Sequence, residues 1–273
     1  MLGNVHSDDQ AVGFSIIRTR KRGHCSGVIT SRDNRWFRRV RDALREHDAE
    51  IVIEGPKAVR DALAAGWNPI AVLCTEPALG RLELETPERR LYVLARELFR
   101  EIADTKTSQG VIGLFERPLA DRVRFFDRRD SIFVALDGVQ DPGNAGTVVR
   151  LAAAFDAAGV IALPGCADLF SPKAVRASAG AILTVPVTGM TVEQLLETGL
   201  DLYAAAAGAT RHDLPAGNAI LILGSEGSGV SSPLRQRATA VSVATTRNVE
   251  SLNVAAAAAI LLWRSFCTRT GRE

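Results

Sequence analysis

The sequence predicts an α/β protein in two units, a small N-terminal α/β domain and a larger C-terminal domain with a mostly parallel sheet. Three observations carry that prediction. Short apolar runs alternate with helical stretches along the chain, as when strands are joined by helices that cover the sheet. The alternation breaks once, between residues 117 and 130, where Pro118 and mixed charges read as a linker, and then restarts. The length of 273 residues is a little under two domains at a typical ~150 residues each.

In the first unit, residues 34–47 read as a helix with Phe37, Val40 and Leu44 on one stripe and arginines around it. Ile51, Val52 and Ile53 form a short buried strand. Pro56 suits the first turn of a helix over 56–65. Strands follow at 70–74, 91–94 and 111–115, with a helix at 96–102 before the last. The second unit opens with a strand at 132–136. Asn144 is placed to cap a helix running to Phe155. Further strands are expected at 160–163, 183–187, 202–205, 220–223 and 240–243, with helices at 172–179 and 192–197. The last helix, 251–266, is apolar nearly all round and therefore expected to be buried, including at a subunit interface. The expected organisation is a basic extension over 1–30, a small α/β domain over 31–117, a linker over 118–130 and a larger α/β domain over 131–273.

Apolar residues at 47% and charged residues at 23% match a globular chain and exclude wholesale disorder. Cys25, Cys74, Cys166 and Cys267 lie far apart without a CxxC pair, and the four histidines are equally scattered. Zinc-ligand spacing is absent, so no metal is expected. Thiols of this kind are reduced core residues in a cytoplasmic protein. The longest apolar run, 254–263, is too short to cross a bilayer, and residues 1–17 lack the layout of a secretion signal. The net charge is only +2, but ten Lys/Arg against Asp33 and Asp42 give residues 18–45 a charge of +8. A surface for a polyanion and a solvated helix face account for that run equally well.

In such a sheet, ligands gather where loops leave the carboxyl ends of strands. Three loops there are unusual. Residues 136–150, LDGVQDPGNAGTVVR, combine glycines with Asn144 at a helix mouth and Arg150 inside the helix. Residues 223–230, LGSEGSGV, place three glycines around Glu226 after an apolar strand. Residues 243–254, VATTRNVESLNV, bring Ser251 and Asn253 to the start of the final helix. Neither GxGxxG nor GxxxxGK[ST] occurs, which leaves nicotinamide and nucleoside-triphosphate sites without support. Each loop alone has an ordinary explanation as a capped turn. In this order and spacing, the three make a specific set.

That set resembles the three motifs of the SpoU (TrmH-type) RNA ribose 2′-O-methyltransferases of the SPOUT superfamily, over residues 131–266. Asn144, Gly146 and Arg150 meet the first motif, Gly224 to Gly227 the second, and Ser251 to Val254 the third. SPKAVRASAG, residues 171–180, resembles the family's basic helix beside the active site. ITSRDN, IVIEGPKAV and TKTSQGVIGLF in the first half resemble the ribosomal-protein-like substrate-binding domain often fused ahead of it. The chain departs from the family pattern at Val243-Ala244, where Ile-Pro is usual, and at Ala255, where Ser is usual. Ala frees a dihedral that Pro would fix, so the cofactor loop is expected to be less preorganised.

The resemblance implies a deep trefoil knot in the C-terminal domain, a homodimer through that domain, and S-adenosylmethionine as cofactor. It implies cofactor contacts at Gly224, Val243 and Leu252. It implies catalytic parts for Asn144, Arg150, Glu226, Ser251 and Asn253, with Arg150 gripping a phosphate and stabilising charge on the attacking oxygen. Arg35, Arg38, Arg39, Lys173 and Arg176 are the candidate RNA contacts, with surface ion pairs the alternative for Lys173 and Arg176. The expected substrate is structured RNA, with 23S ribosomal RNA preferred over transfer RNA. Two other classes of reading are a non-catalytic RNA-binding or ribosome-assembly protein and a methyltransferase acting on small molecules, for which the basic N-terminus would have no purpose.

Overall fold

The computed structural model describes residues 27–46, 49–79, 90–105, 107–118, 125–128, 130–215, 217–246 and 251–272. The expected extension, with Arg18, Arg20, Lys21 and Arg22, lies outside the described residues up to residue 26. Two sheets organise the rest. The first contains β1 (Glu50–Glu54), β2 (Pro69–Thr75), β3 (Leu91–Leu94) and β4 (Val111–Glu116) in the order β1-β4-β2-β3. β4 runs antiparallel to both β1 and β2, while β2 and β3 are parallel.

Alternation along these strands divides the side chains between two faces. Val52, Leu73, Ile112 and Leu114 meet Phe37 and Val40 of α1 (Arg35–Glu46) and Leu98, Phe99 and Ile102 of α4 (Arg96–Ile102). Ile51, Ile53, Val72 and Phe115 pack with Val59 and Ala62 of α2 (Pro56–Ala64) on the other side. A four-residue helix, α3 (Glu76–Leu79), follows β2 directly; it is too short for a periodic signal and is absent from the sequence reading.

The second sheet has six strands, all parallel, in the order β10-β8-β9-β5-β6-β7. They are β5 (Ile132–Asp137), β6 (Gly159–Ala162), β7 (Val187–Gly189), β8 (Asp201–Ala205), β9 (Ala219–Gly224) and β10 (Thr239–Val241). β5 is buried at every position, as a central strand covered on both faces must be. Ile132, Val134 and Leu136 face the core shared with α5 (Pro142–Ala154) and α9 (Val254–Thr270). Phe133 and Ala135 face the cluster holding Leu195 of α7 (Val192–Leu196) and Leu234 of α8 (Ser232–Arg235).

Four expectations are corrected. The apolar run at 183–187 is a 3-10 turn over Ala181–Leu183, entered through left-handed Gly180, and the strand begins only at Val187. A short apolar run alone does not separate strand from turn. The first-motif helix starts at Pro142, two residues before Asn144; Asp141 is its cap and accepts from the Asn144 N–H at 2.8 Å. β10 ends at Val241 because the Ser242 backbone N–H and hydroxyl donate to the carbonyls of Arg211 and Ala209. The final helix is not buried all round: Val254, Ala258, Leu261 and Leu262 face the core, but Ile260 is 37% and Trp263 52% exposed.

Within the segment read as a linker, Phe125 is buried against Phe133 and Gly159, where a side chain on Gly159 would overlap its ring. Trp67 of the first unit lies 6.2 Å from both Phe115 and Phe170, and Arg117 stacks over Phe170 while pairing with Asp168 at 2.8 Å. These contacts join the two sheets through one continuous apolar cluster.

Candidate active site

Parallel register brings the motif loops together. β5 and β9 are neighbours, and Asp137 at the end of one stands beside Gly224 at the end of the other. Asp137 accepts from the Ser231 N–H at 2.6 Å, which anchors the far end of the glycine loop to the first-motif strand. Inside that loop Ser225 and Gly229 form a bridge, and a Cβ at Gly224 would fall 2.1 Å from the Gly229 carbonyl carbon. The turn closes only with glycine there.

Three of the candidate residues form one hydrogen-bonded chain. Asn144 donates from Nδ2 to Glu226 Oε1 at 2.5 Å, and Asn253 donates from Nδ2 to Asn144 Oδ1 at 3.2 Å. Asn253 Oδ1 also accepts from the N–H groups of Ala255 and Ala256, which makes it the N-cap of α9. Asn144 therefore has its amide orientation set from both sides, by an acceptor on one loop and a donor on another. All three motifs meet at this side chain.

Beside the chain lies a pocket of about 450 Å³, within the usual range for a cofactor site. Gly224, Val243 and Leu252 line it, with Glu226 and Ser251 at its polar wall. Another wall is Ala204 to Ala207 at the carboxyl end of β8. Sequence reading missed that wall; its only signal was a run of alanines after a strand. Such small side chains leave backbone groups free to meet a ligand.

Arg150 stands apart. It is exposed and forms no hydrogen bond or ion pair with any described residue. Six residues along α5 from Asn144, it is displaced about 9 Å along the helix and about 120° around it. It does not line the pocket of its own chain.

Gly146 permits the tight contact between α5 and α6 (Pro172–Ala177), because a Cβ there would lie 2.2 Å from the Ala174 carbonyl oxygen. On α6, Lys173 pairs with Asp141 at 2.6 Å, and Arg176 pairs with Asp104 of the first unit. The Lys173 ammonium, aided by the Asn144 N–H, holds the Asp141 carboxyl below the usual aspartate range. On α1, Arg38 pairs with Asp33 at 2.6 Å and Arg39 pairs with Glu50, while Arg35 lies over the Trp36 ring at 4.6 Å. Of the described arginines in the basic run, Arg32 and Arg39 are matched by acids from outside it, Glu101 and Glu50.

Comparison with known proteins decides the family. The SpoU rRNA Methylase family profile matches residues 131–263, and the MRM3-like substrate binding domain matches residues 39–113. The 23S rRNA (guanosine(2553)-2′-O)-methyltransferase RlmP of Bacillus subtilis (strain 168) is 31% identical over 221 residues, covering 78% of this chain and 87% of the relative. The chain belongs to the SpoU rRNA methylase family. Another member, rRNA methyltransferase 3A, mitochondrial, of Danio rerio, is 34% identical over 153 residues, 53% of this chain and 35% of its own length. The crystal structure of an AdoMet-bound rRNA methyltransferase from Sinorhizobium meliloti matches this SpoU protein with a TM-score of 0.76 at 27% identity, covering 88% of this chain and 97% of that one. Among the described residues there is no group of three or more His, Cys, Asp or Glu able to hold a metal, and no helix long and apolar enough to cross a membrane.

Proposed function

We propose that the protein transfers a methyl group from S-adenosylmethionine to a ribose 2′-hydroxyl of ribosomal RNA, with 23S ribosomal RNA as the substrate and the cytoplasm as the place of action. The observation that carries this reading is the Glu226–Asn144–Asn253 chain at the mouth of a backbone-walled pocket. The family membership and the 23S-modifying relative from Bacillus support the choice of reaction and RNA.

The pocket suits the cofactor. Gly224, Val243 and Leu252 would hold it, and the cradle at Gly224 is one that a Cβ would fill. When bound, the cofactor supplies an electrophilic methyl on a sulfonium leaving group. The protein's work is then to place the 2′-oxygen in line with that methyl and to lower the barrier to losing its proton. Asn144 and Asn253, with their amides already oriented, hold the ribose side, and Ser251 contributes at the pocket rim. Glu226 sets the orientation of Asn144. A guanidinium has no lone pair to offer as a base near neutrality, so Arg150 acts electrostatically. It grips the neighbouring phosphate and stabilises negative charge on the oxygen while the C–S bond breaks and the O–C bond forms, the proton leaving to solvent.

The active site is completed in a homodimer. Arg150 is exposed and does not line the pocket of its own chain, and the outer face of α9 presents an apolar stripe of Ala256, Ile260 and Trp263 at i, i+4 and i+7 spacing. Both features are accounted for if a second copy packs there and brings its pocket to Arg150. The C-terminal domain is assigned the family's trefoil knot.

Transfer of labelled methyl to deproteinised ribosomal RNA, to ribosomal particles and to transfer RNA tests the reading, with Arg150→Ala as control. Label on a ribose of ribosomal RNA, lost in the variant, is expected. Binding of S-adenosylmethionine without label on any of the three would overturn the ribosomal assignment, and no cofactor binding would favour the non-catalytic class.

A further inference from the structure

A second cavity, of about 1040 Å³, lies in the N-terminal unit, more than twice the volume of the cofactor pocket. One wall is α4, where Arg96 and Arg100 sit at i, i+4 spacing on the same face. Thr107 and Gln109, both exposed, also line the cavity. Pro77 and Phe99 lie among its apolar lining.

The two arginines differ from most of those on α1. Arg38, Arg39 and Arg41 of that helix are spent on Asp33, Glu50 and Asp42. Arg96 and Arg100 are exposed and have no hydrogen-bond or ion-pair partner among the described residues. Cations without a partner among the described residues, lining a concave surface that also carries amide and hydroxyl groups and the exposed ring of Pro77, match the chemistry of a nucleotide. The phosphate asks for the cations, the base edge for the amide, and the base face for the apolar surface.

The loop is preorganised. Glu54 accepts from the N–H groups of Asp104 and Thr105 at 2.9 and 3.1 Å and from the Thr105 hydroxyl at 2.5 Å. Asp104 is in turn paired with Arg176 on α6, and Lys173 of the same helix holds Asp141, the cap of the first-motif helix. A nucleotide held by the loop is thereby kept in register with the helix that carries Asn144 and Arg150.

We propose that this cavity takes an unpaired nucleotide of the RNA substrate, with phosphate against Arg96 and Arg100 and the base against Thr107 and Gln109. The proposal rests on the ribosomal RNA methyltransferase reading and adds a recognition site to it.

The test is RNA binding by the full-length chain, measured apart from methyl transfer. Wild type, Arg96→Ala/Arg100→Ala, Gln109→Ala and a charge control, Arg60→Ala/Arg237→Ala, are titrated with 23S ribosomal RNA over a salt series. The pocket double variant is expected to bind roughly tenfold or more weakly, with the log–log salt slope reduced by about 1.5, the value for two lost phosphate contacts. Its affinity for S-adenosylmethionine is unchanged. Gln109→Ala is expected to lose part of the preference for a single-stranded fragment over the same fragment in a duplex. A loss no greater than that of the charge control would overturn the site. An unaltered single-strand preference in Gln109→Ala would overturn its assignment to an unpaired base. Failure of the underlying reading is seen separately, as wild type that methylates no ribosomal RNA or particle.

Discussion

Arg150 and Gly224 show how differently two site residues are constrained. Gly224 is held by geometry: any side chain would strike the Gly229 backbone. Overpacking of this kind costs about 1–3 kcal/mol, so Gly224→Ala is expected to weaken S-adenosylmethionine binding roughly tenfold, measured by calorimetry. Arg150 is exposed and has no hydrogen bond or ion pair with a described residue, so its substitution is expected to spare the fold. Arg150→Ala is predicted to lower kcat/KM by about 10²–10³, as for loss of a charge-stabilising donor, with cofactor affinity and melting temperature unchanged. Arg150→Lys separates the roles further. A pH–rate profile that keeps its shape in this variant fits a charge-stabilising arginine, and a new ionisation at that position would count for a base.

Helix entrances are where element and site coincide. Asn253 caps α9 and also orients Asn144. Asn253→Ala is predicted to destabilise the protein by about 1 kcal/mol, lowering the melting temperature by about 3 °C, and to lower turnover as well. Asn253→Asp tests the split: it keeps the capping oxygen but removes the donor to Asn144, so stability is expected to recover and turnover is not. At the entrance of α5, Asp141 is paired with Lys173 and has a depressed pKa. A depressed carboxyl stabilises the fold above its ordinary pKa of about 4 and loses that contribution as pH falls through the folded value. Asp141→Asn retains a capping oxygen without the charge. The difference in melting temperature between wild type and this variant is expected to be constant near neutrality and to shrink on acidification, which a thermal-melt series over pH would read.

At the scale of the whole molecule, the exposed stripe on α9 and the outward Arg150 make one prediction. Ile260→Asp/Trp263→Asp is expected to be monomeric by sedimentation and to lose methyl transfer, while each chain stays folded because neither residue belongs to the core. A variant that remains dimeric, or a monomer with full activity, would remove the shared-site assignment. The join between the two sheets is built differently, from Trp67, Phe115 and Phe170 under the Arg117–Asp168 pair. It is an apolar cluster continuous with both cores, so the first unit is held against the second with little freedom to turn.

The alternation of strands and helices, the glycine-rich turns and the motif residues were legible in the sequence because each depends on local pattern. The six-stranded unit was read strand by strand with one run misplaced, at 183–187, where Gly180 and a 3-10 turn intervene. Asn144 was singled out for its position at a helix mouth, but the cap itself is Asp141, whose Asp-Pro pair was the local signal available. Pairing is what local pattern does not carry. The strand order, the meeting of Glu226, Asn144 and Asn253 across 109 residues of chain, and the alanine wall from β8 all depend on contacts distant in sequence. Charge followed the same division. The sequence alone determined that residues 18–45 are strongly basic, but tertiary structure decided which described arginines stay unpaired, because Glu50 and Glu101 reach that helix region only when the chain folds.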